Sequence, residues 1–151
     1  MHASMAIQTG DPRSSGSFAV EWLQRGDQYT INGSGPLGAA LFVLKGRPGE
    51  VILQTADGKV FNASTPEQLL KNQLGWGWPV SDMVYWVRGE PRPYQPAHRV
   101  FDSSYRVARL RQQGWTIHFS AFEARSALPT KILLEKGAVR IKLVVHEWLL
   151  C

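Results

Sequence analysis

Apolar and polar side chains alternate with a period of two along most of the chain, as they do in strands with one buried face. "SMAIQT" at 4–9 and "GSFAVEWLQ" at 16–24 predict two strands, with Phe18, Val20 and Trp22 sharing one face of the second. Strands at 27–33 and 38–46 follow, the latter with Ala40, Phe42 and Leu44 on one face. An Ala-Asp-Gly turn at 56–58 joins further strands at 50–55 and 59–63. Beyond residue 103 the alternation resumes in "SYRVARLRQ" (104–112), "WTIHFSAFE" (115–123), "TKILLEK" (130–136) and "VRIKLVVHEWL" (139–149). Gln113–Gly114 and Lys136–Gly137 mark tight hairpin turns between them.

Two helical patterns interrupt this rhythm. In "STPEQLLKNQLG" (64–75), Thr65 is placed to cap, Pro66 takes the first helical position and Gln68 the capping-box position. Leu69, Leu70 and Leu74 form its apolar stripe, and Gly75 ends it. In "PVSDMVYWVRGEP" (79–91), Ser81 is placed to cap, Met83, Trp86 and Val87 share a face, and Gly89 and Pro91 terminate the helix. Residues 91–102 read as a loop. The sum is an α+β chain of about ten antiparallel strands in one meander, broken once by two helices. Such a sheet must roll around something, and the helices are the candidate plug of a barrel or half-barrel.

The inner face of that sheet collects Phe18, Val20, Trp22, Phe42, Leu53, Trp115, Phe119, Leu134 and Ile141, with Trp86 from the second helix. Trp148 joins them only if a bulge near Val144–Val145 shifts the parity of the last strand. Periodicity leaves two readings of this set open: a packed core, or the walls of an apolar cavity.

Composition adds size and charge. A chain of 151 residues is long enough for one domain with a real core. Residues 1–80 balance six Lys/Arg against six Asp/Glu, whereas residues 81–151 carry eleven against six. The net charge of +5 therefore belongs to the second half and suits an anionic partner. The lone cysteine, Cys151, excludes an internal disulfide, and no apolar run reaches membrane-spanning length. The N-terminus lacks the basic and apolar regions of a leader peptide.

Candidate chemistry is sparse. His2, His98, His118 and His146 stand at no metal-ligand spacing, there is no Gly-x-Ser-x-Gly elbow, and the acids are scattered. "GSGPLG" lacks the lysine and the following helix of a phosphate loop. No catalytic residue, metal site or cofactor is expected. Nucleic acid is not an expected partner either, because Arg106, Arg109, Arg111, Arg140 and Lys142 lie on predicted strands without interleaved exposed aromatics. One position does ask for a purpose. In "GSGPLGAALFV" (33–43) the apex of a turn between two strands, bracketed by Gly35, Pro36 and Gly38, is Leu37.

"GPLG" opening a strand, "GWGWPVSDMVYWVRGEPRP" after a short helix, and the closing "RIKLVVHEWLL" resemble the LolB family of outer-membrane lipoprotein receptors, from about Gly16 to the C-terminus. The resemblance implies an incomplete, half-open antiparallel β-barrel of about eleven strands, with inserted helices lidding a hydrophobic cavity. It implies a non-enzymatic role without a cofactor at the periplasmic face of the outer membrane. A triacylated lipoprotein would be taken from a LolA-like periplasmic carrier and released into the inner leaflet. It also implies that Pro36, Leu37 and Gly38 form a loop acting on the target membrane.

Two departures are visible. Members of the family carry an N-terminal signal, an acylated cysteine and usually a helix before the first strand. This chain starts almost directly on a strand, and its cysteine is at the other end. The expectation is a trimmed tether or an unanchored variant, with Cys151 not the acylated residue. The competing expectation for function is a periplasmic scaffold or interaction module. In it the half-barrel is filled and Leu37 packs against a neighbouring loop.

Overall fold

The computed structural model describes residues 1–12, 15–75 and 77–149, with only the backbone of Leu74. Leu74, the third leucine expected on the first helix's stripe, and Cys151 therefore lie outside the described side chains. The strands are β1 (His2–Gln8), β2 (Gly16–Arg25), β3 (Gln28–Ser34), β4 (Ala40–Arg47), β5 (Glu50–Thr55) and β6 (Val60–Ala63). Helices α1 (Pro66–Leu74) and α2 (Val80–Trp86) follow. Then come β7 (Ala97–Phe101), β8 (Val107–Gln112), β9 (Trp115–Phe122), β10 (Pro129–Lys136) and β11 (Val139–Glu147).

All eleven strands form one open antiparallel sheet in the order β6-β5-β4-β3-β2-β1-β11-β10-β9-β8-β7. Every neighbour is a neighbour in sequence except β1 and β11, which pair from His2↔Glu147 to Gln8↔Arg140. The meander thus closes on its own beginning and stays open between β6 and β7, where the helices are inserted. This is the half-open barrel with inserted helices that the sequence led us to expect.

β7 departs from the sequence reading, which made residues 91–102 a loop. All five of its residues are exposed, so its outer edge and both faces meet solvent. A strand with no buried face has no reason to alternate, and periodicity cannot find it. Bulges also disturb the parity of otherwise alternating strands: the β9–β10 register shifts on both sides of Lys131, and three more follow the same logic. Ala108 is unpaired between Val100↔Arg109 and Phe101↔Val107. Leu41 is unpaired between Gly33↔Phe42 and Ser34↔Ala40, which leaves Ala40 exposed instead of beside Phe42 and Leu44. At the C-terminal end His146 is skipped between Ala3↔Val145 and His2↔Glu147. Ile141, Leu143 and Val145 stay buried before that skip, so the break comes just after the Val144–Val145 position expected.

Helix capping is also different in detail. Thr65 and Pro66 start α1, but the Thr65 hydroxyl bonds no backbone amide, and Gly75 ends the helix in the left-handed conformation (φ 84°). Pro79, not Ser81, holds the capping position of α2. The orphan amide of Ser81 donates instead to Glu67 Oε1 of α1 at 2.9 Å, so one helix caps the other.

Two glycines on the concave face make room for rings. An added Cβ at Gly33 would stand 2.3 Å from the Phe42 ring, and one at Gly46 would stand 2.2 Å from the Tyr29 ring. Both are directly paired positions, Gly33↔Phe42 and Tyr29↔Gly46, so each ring lies flat on its glycine. The Tyr29 hydroxyl is buried without a partner among the described atoms. Burial, reinforced by the nearby Glu67 charge, pushes its pKa well above the usual phenol range. Replacing Gly46 with Ala should destabilise the protein by about 1–3 kcal/mol in urea unfolding, and Tyr29→Leu in the same chain should recover part of the loss.

Candidate functional site

The concave face is built from alternate residues of nearly every strand. Val20, Trp22, Phe42, Leu53, Trp115, Phe119, Leu134 and Ile141 are buried there, and Phe18 packs half-buried against them. Trp148, beyond the end of β11, also packs half-buried on this core, and its indole N–H donates to the Pro129 carbonyl at 2.8 Å. The His146 bulge turns Trp148 inward. Every nominated wall residue is thus in one contiguous apolar cluster.

The ground between those walls is occupied by side chains from the helical insertion. Trp78, from the Gly-rich link between the helices, is fully buried among aromatics. Its ring centroid lies 5.9 Å from Trp22 at 90°, 6.3 Å from Phe18 and 6.3 Å from Phe42. Phe18 and Phe42 meet edge to face at 5.7 Å. These are the distances and angles at which aromatic quadrupoles attract. The Trp78 indole N–H points at the Met83 sulfur. One turn further on, Trp86 packs 6.3 Å from Trp115, in the other half of the sheet. Sequence reading passed over Trp78 because it sits in a glycine-rich link with no periodicity; the only signal was a large apolar residue where a loop calls for polar ones.

Gln112 is the second residue that sequence reading missed. It is the one polar residue fully enclosed among the described core positions. Its Oε1 accepts from Trp86 Nε1 and from the Arg92 amide, both at 2.8 Å. Its Nε2 donates to the Arg92 carbonyl at 2.9 Å and the Gln95 carbonyl at 3.2 Å. All four hydrogen-bonding positions of the amide are filled. They fasten the proline-rich strap 90–96 and helix α2 to β8. Arg92 adds a 2.6 Å ion pair to Asp82 of α2, which is largely shielded from solvent.

Beside the aromatic cluster, the β3–β4 turn projects outward. Pro36–Gly38 forms a single 3-10 turn, braced by the Gly35 amide on the Ala39 carbonyl at 2.7 Å and the Gly38 amide on the Gly35 carbonyl at 3.2 Å. Leu37 sits in the left-handed region (φ 64°, ψ 20°) and is fully exposed, at 107% of its reference area. It packs against no neighbouring loop, contrary to the scaffold alternative, whereas the interior filled by Trp78, Met83 and Trp86 is what that alternative expects. A bulky residue in this conformation costs on the order of 1 kcal/mol, which glycine or asparagine would avoid.

The basic excess lies mainly on the convex face of the C-terminal strands. Arg109, Arg111 and Lys142 point outward from β8 and β11, while Arg140 is drawn to Glu135 at 3.0 Å, a carboxylate also 3.2 Å from His118. Arg106 is in the β7–β8 turn and not on a strand. There it stacks over Phe122 at 4.7 Å and pairs with Asp102 at 3.3 Å, beside exposed Phe101 and Tyr105. The absence of neighbouring exposed aromatics, expected from sequence, therefore does not hold at Arg106. Hydrogen bonds to Asp102 from the backbone around Arg106 hold its carboxyl below the usual range. Among the described residues no three His, Cys, Asp or Glu side chains converge, and no helix is long and apolar enough to cross a membrane.

Comparison with known proteins gives a consistent answer. A family model described as "Outer membrane lipoprotein LolB" matches residues 1–148. Proteins named "Outer-membrane lipoprotein LolB" align over most of the chain. That of Pseudomonas fluorescens is 41% identical over 140 residues, covering 91% of this chain and 68% of the relative. That of Pseudomonas syringae pv. syringae is 40% identical over 139 residues, and that of Stutzerimonas stutzeri 42% over 139, with the same coverage.

Proposed function

We propose that this chain, which belongs to the outer-membrane lipoprotein LolB family, receives triacylated lipoproteins from a LolA-like periplasmic carrier and delivers them to the inner leaflet of the outer membrane. Membership of the family supports a role in outer-membrane lipoprotein localisation. The observation that carries the finer reading is the pairing of an aromatic-lined concave face with an adjacent, fully exposed Leu37.

The energetics set the design. Each CH₂ buried is worth ~0.8 kcal/mol, so one chain of about sixteen carbons costs on the order of 12 kcal/mol to expose to water. A receiver must therefore hold acyl chains better than the carrier does and less well than the bilayer. In this structure the space that the chains would need is filled by Trp78, Met83 and Trp86. Acyl chains would displace these side chains and inherit their walls: Phe18, Trp22 and Phe42 on one side, Trp115, Phe119 and Leu134 on the other. Aromatic contacts surrendered by the helices offset part of the gain from each chain, which leaves binding intermediate in strength. That is the property a relay needs.

Leu37 serves the release step. Burying one leucine is worth about 1.5–3 kcal/mol, enough to dock the turn on acyl chains and too little to anchor a protein. The test is a relay followed stepwise. A lipoprotein-loaded carrier is mixed with this protein, liposomes are then added, and the cargo is traced at each stage. Wild type should take the cargo and pass it on. Leu37→Glu should take it equally well and pass on at least tenfold less. Cargo that never leaves the carrier would reject the acceptor role in favour of a scaffold with a filled interior.

A further inference from the structure

The exposed apolar surface at the β3–β4 turn extends well beyond Leu37. Six consecutive residues, Pro36-Leu37-Gly38-Ala39-Ala40-Leu41, are exposed, and none has a polar side chain. A run of that length on a water-soluble surface calls for an apolar partner. Its last member is the unpaired residue of the β4 bulge, 39% exposed, while its neighbour Phe42 is buried in the core. A bulge of this kind re-aims a side chain. Here it turns Leu41 toward the turn, 3.7 Å from the position a Cβ on Gly35 would take.

The next hairpin carries the surface onward. Val43↔Gln54 and Gln54↔Val60 place Val43, Gln54 and Val60 in one convex row across β4, β5 and β6. Val60 is 59% exposed. The β5–β6 turn at the same rim contributes one carboxylate, Asp57, and it is heavily engaged. It accepts from the Thr55 hydroxyl and from the Lys59 amide at 3.3 Å, and Lys59 Nζ stands 3.7 Å away. The β3–β4 and β5–β6 turns thus present apolar side chains, with Asp57, the acid of these two turns, already paired to a cation.

We infer that Leu37, Leu41 and Val60 form one bilayer-docking footprint, so that the rim of the β3–β4 and β5–β6 hairpins, and not a lone leucine, rests on the lipid surface. This rests on the membrane role proposed for Leu37 and adds two contact residues and an orientation. Leu37 enters the acyl region from the turn apex. Leu41 and Val60 lie along the convex side and fix the tilt. The occupant is a phospholipid surface, because Leu41 adjoins the Leu37 turn, Val60 stands on the same convex side beyond Gln54, and the acid of the two turns, Asp57, is paired with Lys59 and so repels anionic head groups less.

The test uses the full chain with Cys151→Ser, labelled in turn with an environment-sensitive fluorophore at single cysteines replacing Leu37, Leu41, Val60, Leu23 or Phe101. Leu23 and Phe101 are exposed controls away from the rim. Vesicles of phosphatidylethanolamine and phosphatidylglycerol carry a doxyl quencher on the acyl chains. Labels at 37, 41 and 60 should shift to the blue and be quenched, and those at 23 and 101 should do neither. In unlabelled protein with Leu37 intact, Leu41→Ser and Val60→Ser should each weaken vesicle partitioning about three- to tenfold. Quenching at 37 with 41 and 60 still in water would overturn the footprint and leave the role of Leu37 standing. Labels at all three sites remaining in water would overturn both.

Discussion

Trp78→Ala should cost the unliganded protein roughly 3–5 kcal/mol in urea unfolding, the usual range for removing a fully buried aromatic. Trp78 meets Phe18, Trp22 and Phe42 at once. Two outcomes are built into the same substitution, because the vacated space is lined by aromatics and stays dry. The variant should bind an apolar fluorophore or a lipopeptide more tightly than wild type, and saturating ligand should restore much of the lost stability. Lower stability with unchanged affinity would mean that the core collapses into the gap, and that Trp78 is ordinary packing. The direction of the affinity change therefore separates a displaceable plug from a permanent core.

Gln112→Leu should have the next largest effect, about 2–4 kcal/mol, for a different reason. Leucine fits the volume but leaves the enclosed Trp86 N–H without an acceptor, and one buried orphan donor costs about 1–3 kcal/mol. The Arg92 and Gln95 backbone groups lose their partners too, but they lie nearer water and can recover by lifting away. The loss should accordingly be uneven. Amide hydrogen exchange in 90–96 should accelerate more than in β9 or β10, and the Asp82–Arg92 pair alone should not hold the strap. Uniform acceleration across the sheet would show that Gln112 supports the core as a whole and not this fastening.

Where one face is buried and the other wet, the sequence reports the structure almost directly. Trp115, Ile117 and Phe119 against Thr116, His118 and Ser120 is such a case, and β9 ends within one residue of its expected boundary. Information fails where that contrast fails. β7 has no buried face and reads as loop. Leu41 breaks the parity of β4 by standing out of register, and alternation alone made Ala40 an inward residue. The buried residues of the concave face were legible because, Trp148 and the helical Trp86 apart, each is apolar at an inward strand position, but periodicity cannot report what faces them. The filling of the interior by Trp78, and its fastening by an enclosed glutamine, are tertiary facts. Gln112 looks like any polar residue at a strand end, and only its enclosure reveals its four hydrogen bonds. Leu37 stood out for the opposite reason: its side chain is wrong for its place, and such a conflict is readable without a structure.

The strand order has a mechanical corollary. Because β1 and β11 are zipped together, the sheet has a single gap, and its two lips are β6 and β7. The chain between those lips, residues 64–96, is the same chain that fills the interior and is tied down at Gln112. Filler and drawstring are one piece of polypeptide. On the role proposed above, a guest that lifted Trp78 and Trp86 would pull on both lips at once, and spreading the lips would draw the helices outward. Loading and gaping would then share one coordinate.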